Sequence, residues 1–203
     1  MIPLRDGRAA ARGRSDTERL QTGELVYAGV RRTPICALAT ELPVRGVPTG
    51  MAAEIFASTL DVYLMLGELA PDPEDHSTAD GRPATPEAAW ERLARMVGAD
   101  REAFLRDDAL AFAEAADACL LDRLTKAAAR ACEPTVGWPR GAVVAGSGEF
   151  LARRLAERIT APGSPIVGLN AAWGPVASSA GCAHALLVLA QERLASGGEA
   201  GAA

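Results

Sequence analysis

The chain alternates short apolar runs with longer stretches in which apolar residues recur at helical spacing. The clearest case lies at residues 141–158, where the apolar run 142–145 is bounded by glycines and predicts a buried strand. Residues 149–159 then carry Phe150, Leu151, Leu155 and Ile159 at helical spacing. This segment therefore predicts a strand, a tight turn at residues 146–148 and a helix.

The turn Gly146-Ser147-Gly148 is a candidate ligand-binding site. A helix start offers free backbone N–H groups and the positive end of the helix dipole, and glycines let a ligand approach the backbone closely. An anion or a nucleotide fits such a place. A bare Gly-x-Gly pattern is equally typical of a strand-to-helix turn that binds nothing, so both interpretations stay open.

The same periodicity assigns the rest of the chain. We expect an α/β fold, with helices packed on a small mixed sheet, in one domain over residues 1–195, followed by a disordered tail over 196–203. The predicted strands are a strand–turn–strand over 2–12 and single strands over 24–30, 34–38 and 166–169. The predicted helices are a helical turn over 15–21 and helices over 49–66, 85–98, 100–132 (with a break near 106–108) and 178–194. Loops are predicted over 43–50, 68–86 and 170–175.

Acidic residues mark a second candidate site. In the helix predicted over 49–66, Glu54, Ser58 and Asp61 continue to Glu68 as one polar stripe. Such a stripe is usually the solvent face. If it lines a cleft instead, Glu54 and Asp61 are carboxylates suited to hold a magnesium ion or to accept a proton.

The basic and histidine residues give weaker indications. Arg31 and Arg32 lie between two predicted strands, where solvated loop cations are the simpler interpretation and phosphate binding is the alternative. Arg92 and Arg95 project from one face of a predicted helix. Among acidic neighbours, an exposed His76 is expected to be inert.

Composition excludes several function classes. The chain has 203 residues and a formal net charge of −5, and it shows no basic segment with interleaved aromatics, so nucleic acid is not an expected partner. No apolar run approaches the ~20 residues that span a bilayer, and no signal peptide is evident, so we expect no membrane association and a cytoplasmic location. The four cysteines have no metal-ligand spacing and are expected to be reduced structural thiols.

A longer comparison of motifs suggests a family. The segment 13–38, the run Phe-Ala-Ser-Thr-Leu-Asp-Val-Tyr at 56–63, Thr-Ala-Asp-Gly-Arg at 78–82, Arg-Leu-Ala-Arg-Met at 92–96 and the glycine turn within 141–151 together resemble the hydantoinase/oxoprolinase-like proteins of tetrahydromethanopterin-linked one-carbon metabolism. Relatives of that family include the methanofuran-biosynthesis furan-methanamine synthase. The resemblance extends over nearly the whole chain.

The resemblance implies a fold and a boundary. The family is similar to acetate and sugar kinases, heat-shock ATPases and actin, in which a glycine turn such as residues 143–148 contacts the adenosine part of a nucleotide. The two phosphate loops of that superfamily, one of them of the Asp-x-Gly-Ser-Thr-Thr type, have no match here. The chain is therefore expected to be the C-terminal half of an actin-like or sugar-kinase-like ATPase fold, inactive when isolated.

The resemblance also implies a transferase of methanofuran-type C1-carrier biosynthesis, which joins a tyramine-type phenol to an aminomethylfuran diphosphate. The alternatives are an ATP-dependent kinase, a hydantoinase/oxoprolinase-like hydrolase half and a non-catalytic interaction module. The expected ligands are a small-molecule substrate, magnesium, and ATP or another diphosphate-bearing molecule; a protein partner would be a second copy or a separate N-terminal half. Because a diphosphate needs cations and a phenol of pKa ~10 needs a base, the candidates are Arg31, Arg32, Arg82 and Arg95 for the diphosphate, with Glu54, Asp61 and Asp80 for the metal ion or the proton.

Overall fold

The computed structural model describes residues 1–134 and 137–198, with the side chains of residue 182 and residues 194–198 left aside. The chain divides into two compact units, Met1–Trp138 and Pro139–Ala203, and each is described here by itself. The described part is mixed α/β, with three small two-stranded sheets and several packed helices, which confirms the predicted class. That residues 1–195 form a single domain stays a prediction.

The first unit is mainly helical and carries two antiparallel hairpins. Its elements are β1 (Leu4–Arg5), β2 (Arg8–Ala9), α1 (Asp16–Thr22), a 3₁₀ helix (Ile35–Ala37), β3 (Glu41–Val44), β4 (Val47–Gly50), α2 (Thr59–Met65), α3 (Pro86–Met96) and α4 (Arg106–Cys132).

The core of this unit lies where α2, α3 and α4 pack together. Every residue of α2 is buried, and Leu93 of α3 and Phe112 of α4 are fully excluded from solvent. Each such side chain contributes about 1.5–3 kcal/mol by leaving water. The Tyr63 hydroxyl donates to Asp117 Oδ1 across 3.0 Å, so the polar tip of this buried ring is satisfied. The three helices thus form a packed base for the loop that joins α2 to α3.

Local signals explain the helices that the sequence predicts well. The Thr85 hydroxyl accepts the Ala88 N–H at the start of α3, and Pro86 occupies the first turn. The Ser15 side chain and Glu18 form a capping box at α1. The segment 68–86 is a loop, as predicted, closed by a bridge between Asp72 and Ala84.

The helix predicted over 49–66 forms only in its second half, and the loop predicted over 43–50 is wrong. Residues 41–50 form an antiparallel hairpin, and α2 starts only at Thr59. The turn residues Arg45 and Gly46 have φ angles of 51° and 78°, the left-handed pair that a two-residue hairpin turn requires. Glu54 therefore lies in the exposed segment before α2 and does not share a helical stripe with Asp61.

The strands predicted over 24–30 and 34–38 are also wrong. Residues 24–30 have no regular structure, and the buried Glu24 carboxylate accepts the backbone N–H groups of Arg12 and Gly13. Pro34 makes only an isolated bridge with Ser58, and the 3₁₀ helix follows it. Side-chain contacts with distant backbone replace a strand ladder here.

The second unit contains the predicted strand, glycine turn and helix. Its elements are β5 (Ala142–Val144), α5 (Glu149–Ile159), β6 (Ile166–Gly168), α6 (Leu169–Trp173), α7 (Pro175–Ser179) and α8 (Gly181–Gly198). β5 and β6 pair in parallel, with Val144 opposite Gly168. Val144, Leu151, Leu155 and Ile159 are buried, so α5 covers one face of the strand pair.

Three predictions for the second unit need correction. The loop predicted over 170–175 overlaps α6, and the last predicted helix is divided into α7 and α8 at Ala180. Residues 196–198 belong to α8, and the rest of the predicted tail lies outside the described residues. His184 stacks on Trp173, with ring centroids 4.6 Å apart, and is half-buried.

Within residues 1–134 and 137–198, no helix is both long enough and apolar enough to cross a membrane.

Candidate functional site

Three arginines converge on one carboxylate in the first unit. Asp80 accepts Arg92 Nη1 at Oδ1 across 3.0 Å, and it accepts Arg82 Nε and Arg95 Nη1 at Oδ2 across 2.8 and 3.1 Å. Arg92 and Arg95 reach it from one face of α3, while Asp80 and Arg82 come from the loop before that helix. We call Asp80 and these three arginines the arginine cluster.

Arg92 is the buried member of the cluster. Its side chain is 0% exposed, and its Nε donates to Asp61 Oδ1 across 2.7 Å. The other oxygen of Asp61 accepts the Ser58 N–H across 2.8 Å, at the first turn of α2. Arg92 therefore joins α3 both to the start of α2 and to the loop that carries Asp80.

The two carboxylates have different electrostatic environments. Burial alone would raise the pKa of Asp80, but hydrogen bonds from Arg82 and Arg92 outweigh it and lower that pKa to about 2. Burial raises the pKa of Asp61, against the opposing attraction of Arg92. Asp80 is a weak proton acceptor at such a pKa, and Asp61, 1% exposed, is closed to a substrate. Both carboxylates are arranged to hold arginines.

The network continues outward to the protein surface. Arg82 Nη1 donates to Glu91 Oε2 across 2.5 Å, and Arg101 Nη1 donates to Glu91 Oε1 across 3.1 Å. The Arg101 guanidinium also lies over the Trp90 ring, 4.3 Å from its centroid. With four arginines against Asp61, Asp80 and Glu91, this network has an excess of one positive charge.

The network also has donors that lack acceptors. Arg82 Nη2 and Arg92 Nη2 are buried, and neither has a hydrogen-bond partner among the described residues. A buried polar atom left unpaired costs about 1–3 kcal/mol, so such atoms in a native protein call for an explanation. The excess positive charge and the unpaired donor of the partly exposed Arg82 both favour an anion as the missing partner.

Arg31, Arg32 and Glu54, the other sequence candidates in this unit, lie near the start of α2. The Arg31 carbonyl accepts the Ser58 hydroxyl, and its guanidinium pairs with Asp75. Arg32 and Glu54 are exposed. Among the described residues, no ion pair links the side chains of Arg31, Arg32 or Glu54 to the arginine cluster.

The glycine turn of the second unit is occupied by groups of the chain itself. The Gly146 N–H donates to Ser178 Oγ across 2.9 Å, and Glu149 begins α5 with a carboxylate that accepts the Asn170 N–H across 2.8 Å. Ser147 is exposed, and Gly148 precedes α5 with φ −101°. Because a protein carboxylate already lies at this helix start, the geometry favours a strand-to-helix turn that binds nothing over a turn that binds an anion.

The chain is similar to two curated proteins, and no family model matches it. The chain is 35% identical over 113 residues to the (4-{4-[2-(gamma-L-glutamylamino)ethyl]phenoxymethyl}furan-2-yl)methanamine synthase of Methanocaldococcus jannaschii. The matched segment is 56% of this chain and 34% of that protein. It is 31% identical over 110 residues to the synthase of the same name from Methanococcus vannielii, and this matched segment is 54% of this chain and 49% of that protein. The chain thus spans between a third and a half of the length of the relatives it matches.

Asp61 and Asp80 do not fit a magnesium ion. Asp80 is surrounded by arginines, and both oxygens of Asp61 already accept hydrogen bonds. The described part of the chain holds no group of three or more His, Cys, Asp or Glu side chains that could bind a metal ion. Magnesium stays a prediction of the resemblance, and no chemical step is derived through it.

Arg92 is the residue whose role the sequence analysis missed. Of its four neighbours one helical turn away, Ala88, Ala89 and Met96 are apolar and buried, and only Arg95 is charged and exposed. An arginine surrounded in this way on a helix must lie inside the protein, where it needs a carboxylate partner. That pattern was readable in the sequence, but nothing in it identified Asp61 or Asp80 as the partner.

Proposed function

We propose that this chain is part of a transferase of methanofuran-type C1-carrier biosynthesis, which joins the phenol oxygen of a tyramine-type substrate to an aminomethylfuran diphosphate. The observation that supports it is the similarity to two synthases whose name describes a phenol ether of a furan methylene group. In the reaction the phenol loses its proton, the oxygen–methylene bond forms, and the methylene–diphosphate bond breaks with release of diphosphate.

The arginine cluster supplies what the leaving group needs. Arg82 and Arg95 are partly exposed, at 38% and 45% of their side chains, and both are oriented by Asp80. Guanidinium groups bind phosphate oxygens in pairs and stabilise the charge that develops on them. We assign Arg82 and Arg95 to the diphosphate, with Arg31 and Arg32 as a second pair of candidates.

The proton acceptor of the phenol is assigned to Glu54. Unlike Asp61 and Asp80, this carboxylate is exposed and forms no ion pair among the described residues. It lies in the segment between β4 and α2, ahead of the start of α2 where the Arg31 carbonyl binds Ser58. General-base catalysis by a carboxylate at this place is the role proposed for it.

The fold of the whole enzyme is proposed to be actin-like, with a hydantoinase/oxoprolinase-like relationship. The parallel pair β5–β6 joined through α5 is compatible with the nucleotide-facing part of such a fold. A Cβ atom built on Gly146 meets no atom within 4 Å, so a ligand has room at this residue. That observation favours the second candidate function, an ATP-dependent kinase or hydrolase half with Gly146, Ser147 and Gly148 at the nucleotide.

A chimera tests the transferase proposal. The segment of the Methanocaldococcus jannaschii synthase that matches this chain is replaced by the corresponding residues of this chain, and diphosphate release is measured with γ-glutamyltyramine and the aminomethylfuran diphosphate. We expect release by the folded chimera and its loss in the same chimera with Arg95→Met. A folded chimera without activity, beside an active parent synthase, would contradict the proposal. Heat protection of that chimera by ATP but not by diphosphate would favour the second candidate.

A further inference from the structure

We infer that Arg92 is a positioning residue, which holds Asp80 between Arg82 and Arg95 so that these two outer arginines form a binding pair for a diphosphate group. The identity of the ligand rests on the proposed function. The role of Arg92 rests on its own contacts, which no comparison assigns.

Arg92 acts through Asp80 and not on the ligand. Its side chain is 0% exposed, so a ligand at the surface cannot touch it. Its Nε and Nη1 atoms bind carboxylates on two different elements, Asp61 in α2 and Asp80 in the loop before α3. Because a planar guanidinium keeps its nitrogen atoms in fixed directions, the place of Asp80 is set relative to α2.

Asp80 in turn orients the two outer arginines. Arg82 donates a hydrogen bond to Asp80 from Nε, and Arg95 donates one from Nη1. Long arginine side chains otherwise lose rotamer freedom when they bind an anion. An arginine that a carboxylate already holds loses less, so the pair is preorganised for a ligand.

The charge and the donors of the network indicate an anion. Four arginines face three carboxylates, and Nη2 of the partly exposed Arg82 has no acceptor among the described residues. A diphosphate offers several charged oxygens to guanidinium groups. A neutral ligand would leave the excess positive charge as it is.

The test uses inorganic diphosphate as the probe and the full 203-residue chain. Binding is followed by NMR titration into the tens of millimolar, and the ionisation of Asp80 is followed through its carboxyl carbon shift. The variants are Arg92→Lys, Arg95→Met and Asp80→Asn. The matched control is Arg45→Met, which removes an exposed arginine that pairs with Asp108 in the same unit.

The wild-type chain and Arg45→Met should bind diphosphate equally. Arg95→Met should bind at least about tenfold more weakly, the factor for one charge-assisted hydrogen bond, with the Asp80 contact of Arg92 intact. Arg92→Lys should weaken binding to a similar extent and also raise the pKa of Asp80, although Arg92 never meets the ligand. A purely structural role for Arg92 would change unfolding without changing diphosphate affinity in the folded variant.

Three results would overturn the inference: no binding by the wild-type chain, wild-type affinity in folded Arg92→Lys, or affinity in Asp80→Asn that equals or exceeds that of the wild type. The last variant keeps the Arg92–Asp61 pair, so it decides the matter if Arg92→Lys does not fold. Diphosphate binding beside an inactive chimera would contradict the transferase proposal alone. An active chimera beside a chain that fails to bind diphosphate would contradict this inference alone.

Discussion

Arg92 Nε lies 2.7 Å from Asp61 Oδ1, and the two side chains are 0% and 1% exposed. A buried pair of this kind contributes little net stability when intact, but removal of one partner leaves the other charge buried and unpaired. The relationship therefore makes α2, α3 and the loop that carries Asp80 dependent on one another. Asp61, a carboxylate of the kind that often acts in catalysis, therefore has a structural role here.

We expect Asp61→Asn to lower the free energy of unfolding by about 1–3 kcal/mol, because Arg92 Nε loses its charge-assisted hydrogen bond and Asp80 is then the only carboxylate that Arg92 contacts among the described residues. Chemical denaturation followed through the first unit measures the change. Glu87→Gln is the control, since the exposed pair of Glu87 with Arg106 should contribute about 0–1 kcal/mol. The double variant Asp61→Asn, Arg92→Met should be more stable than Asp61→Asn alone. If it is less stable than Asp61→Asn, the unpaired charge is not the cause.

The lowered pKa of Asp80 predicts a pH dependence. The folded protein holds the pKa of Asp80 at about 2, below the ordinary value of 3.8, so its ionised form is favoured by folding. That contribution, roughly 2 kcal/mol, is fully present well above pH 4 and is lost as the pH falls through about 2. The raised pKa of Asp61 acts in the opposite direction, because its protonated form is favoured by folding.

The difference between the wild type and Asp80→Asn isolates this effect from the other acids. Their free energies of unfolding, measured by denaturation from pH 6 down to pH 2, should converge as the pH falls. A difference that stays constant over this range would show that the arginines do not stabilise the ionised form of Asp80.

Gly146 and Gly148 should respond differently to substitution. Gly146 has a φ of +92°, which side chains rarely adopt, whereas Gly148 has a φ of −101°. We expect Gly146→Ala to lower the free energy of unfolding by about 1 kcal/mol or more, and Gly148→Ala to change it by only a few tenths. Thermal unfolding of the two variants makes the comparison. Equal effects would rule out backbone strain as the reason for glycine at 146.

Gly168 is required for a steric reason. A Cβ atom at this residue would lie 2.2 Å from Glu149 Oε1, so Gly168→Ala must displace the carboxylate that accepts the Asn170 N–H. We expect a loss of about 1–3 kcal/mol and a shifted amide resonance of Asn170. Gly181→Ala, where an added Cβ meets no atom within 4 Å, is the matched control and should be nearly neutral. An unchanged Asn170 resonance in folded Gly168→Ala would show that the carboxylate does not depend on this glycine.

The sequence by itself determined the elements that depend on neighbours along the chain. Thr85 and Pro86 define the start of α3, and the glycines at 146 and 148 separate β5 from α5, because caps and turns are interactions of adjacent residues. Asp61, Asp80, Arg82 and Arg95 were also selected from the sequence alone, by residue type and family resemblance.

Only the tertiary structure decided what these residues do. The segment 41–50 became a hairpin although its continuation looked helical, and Glu54 was thereby separated from Asp61. Asp80 meets Arg92 and Arg95 through a loop whose course no periodicity describes. Whether a carboxylate is an exposed base or a buried counter-ion depends on how α2 and α3 pack, since burial and ion pairing arise between residues distant in sequence.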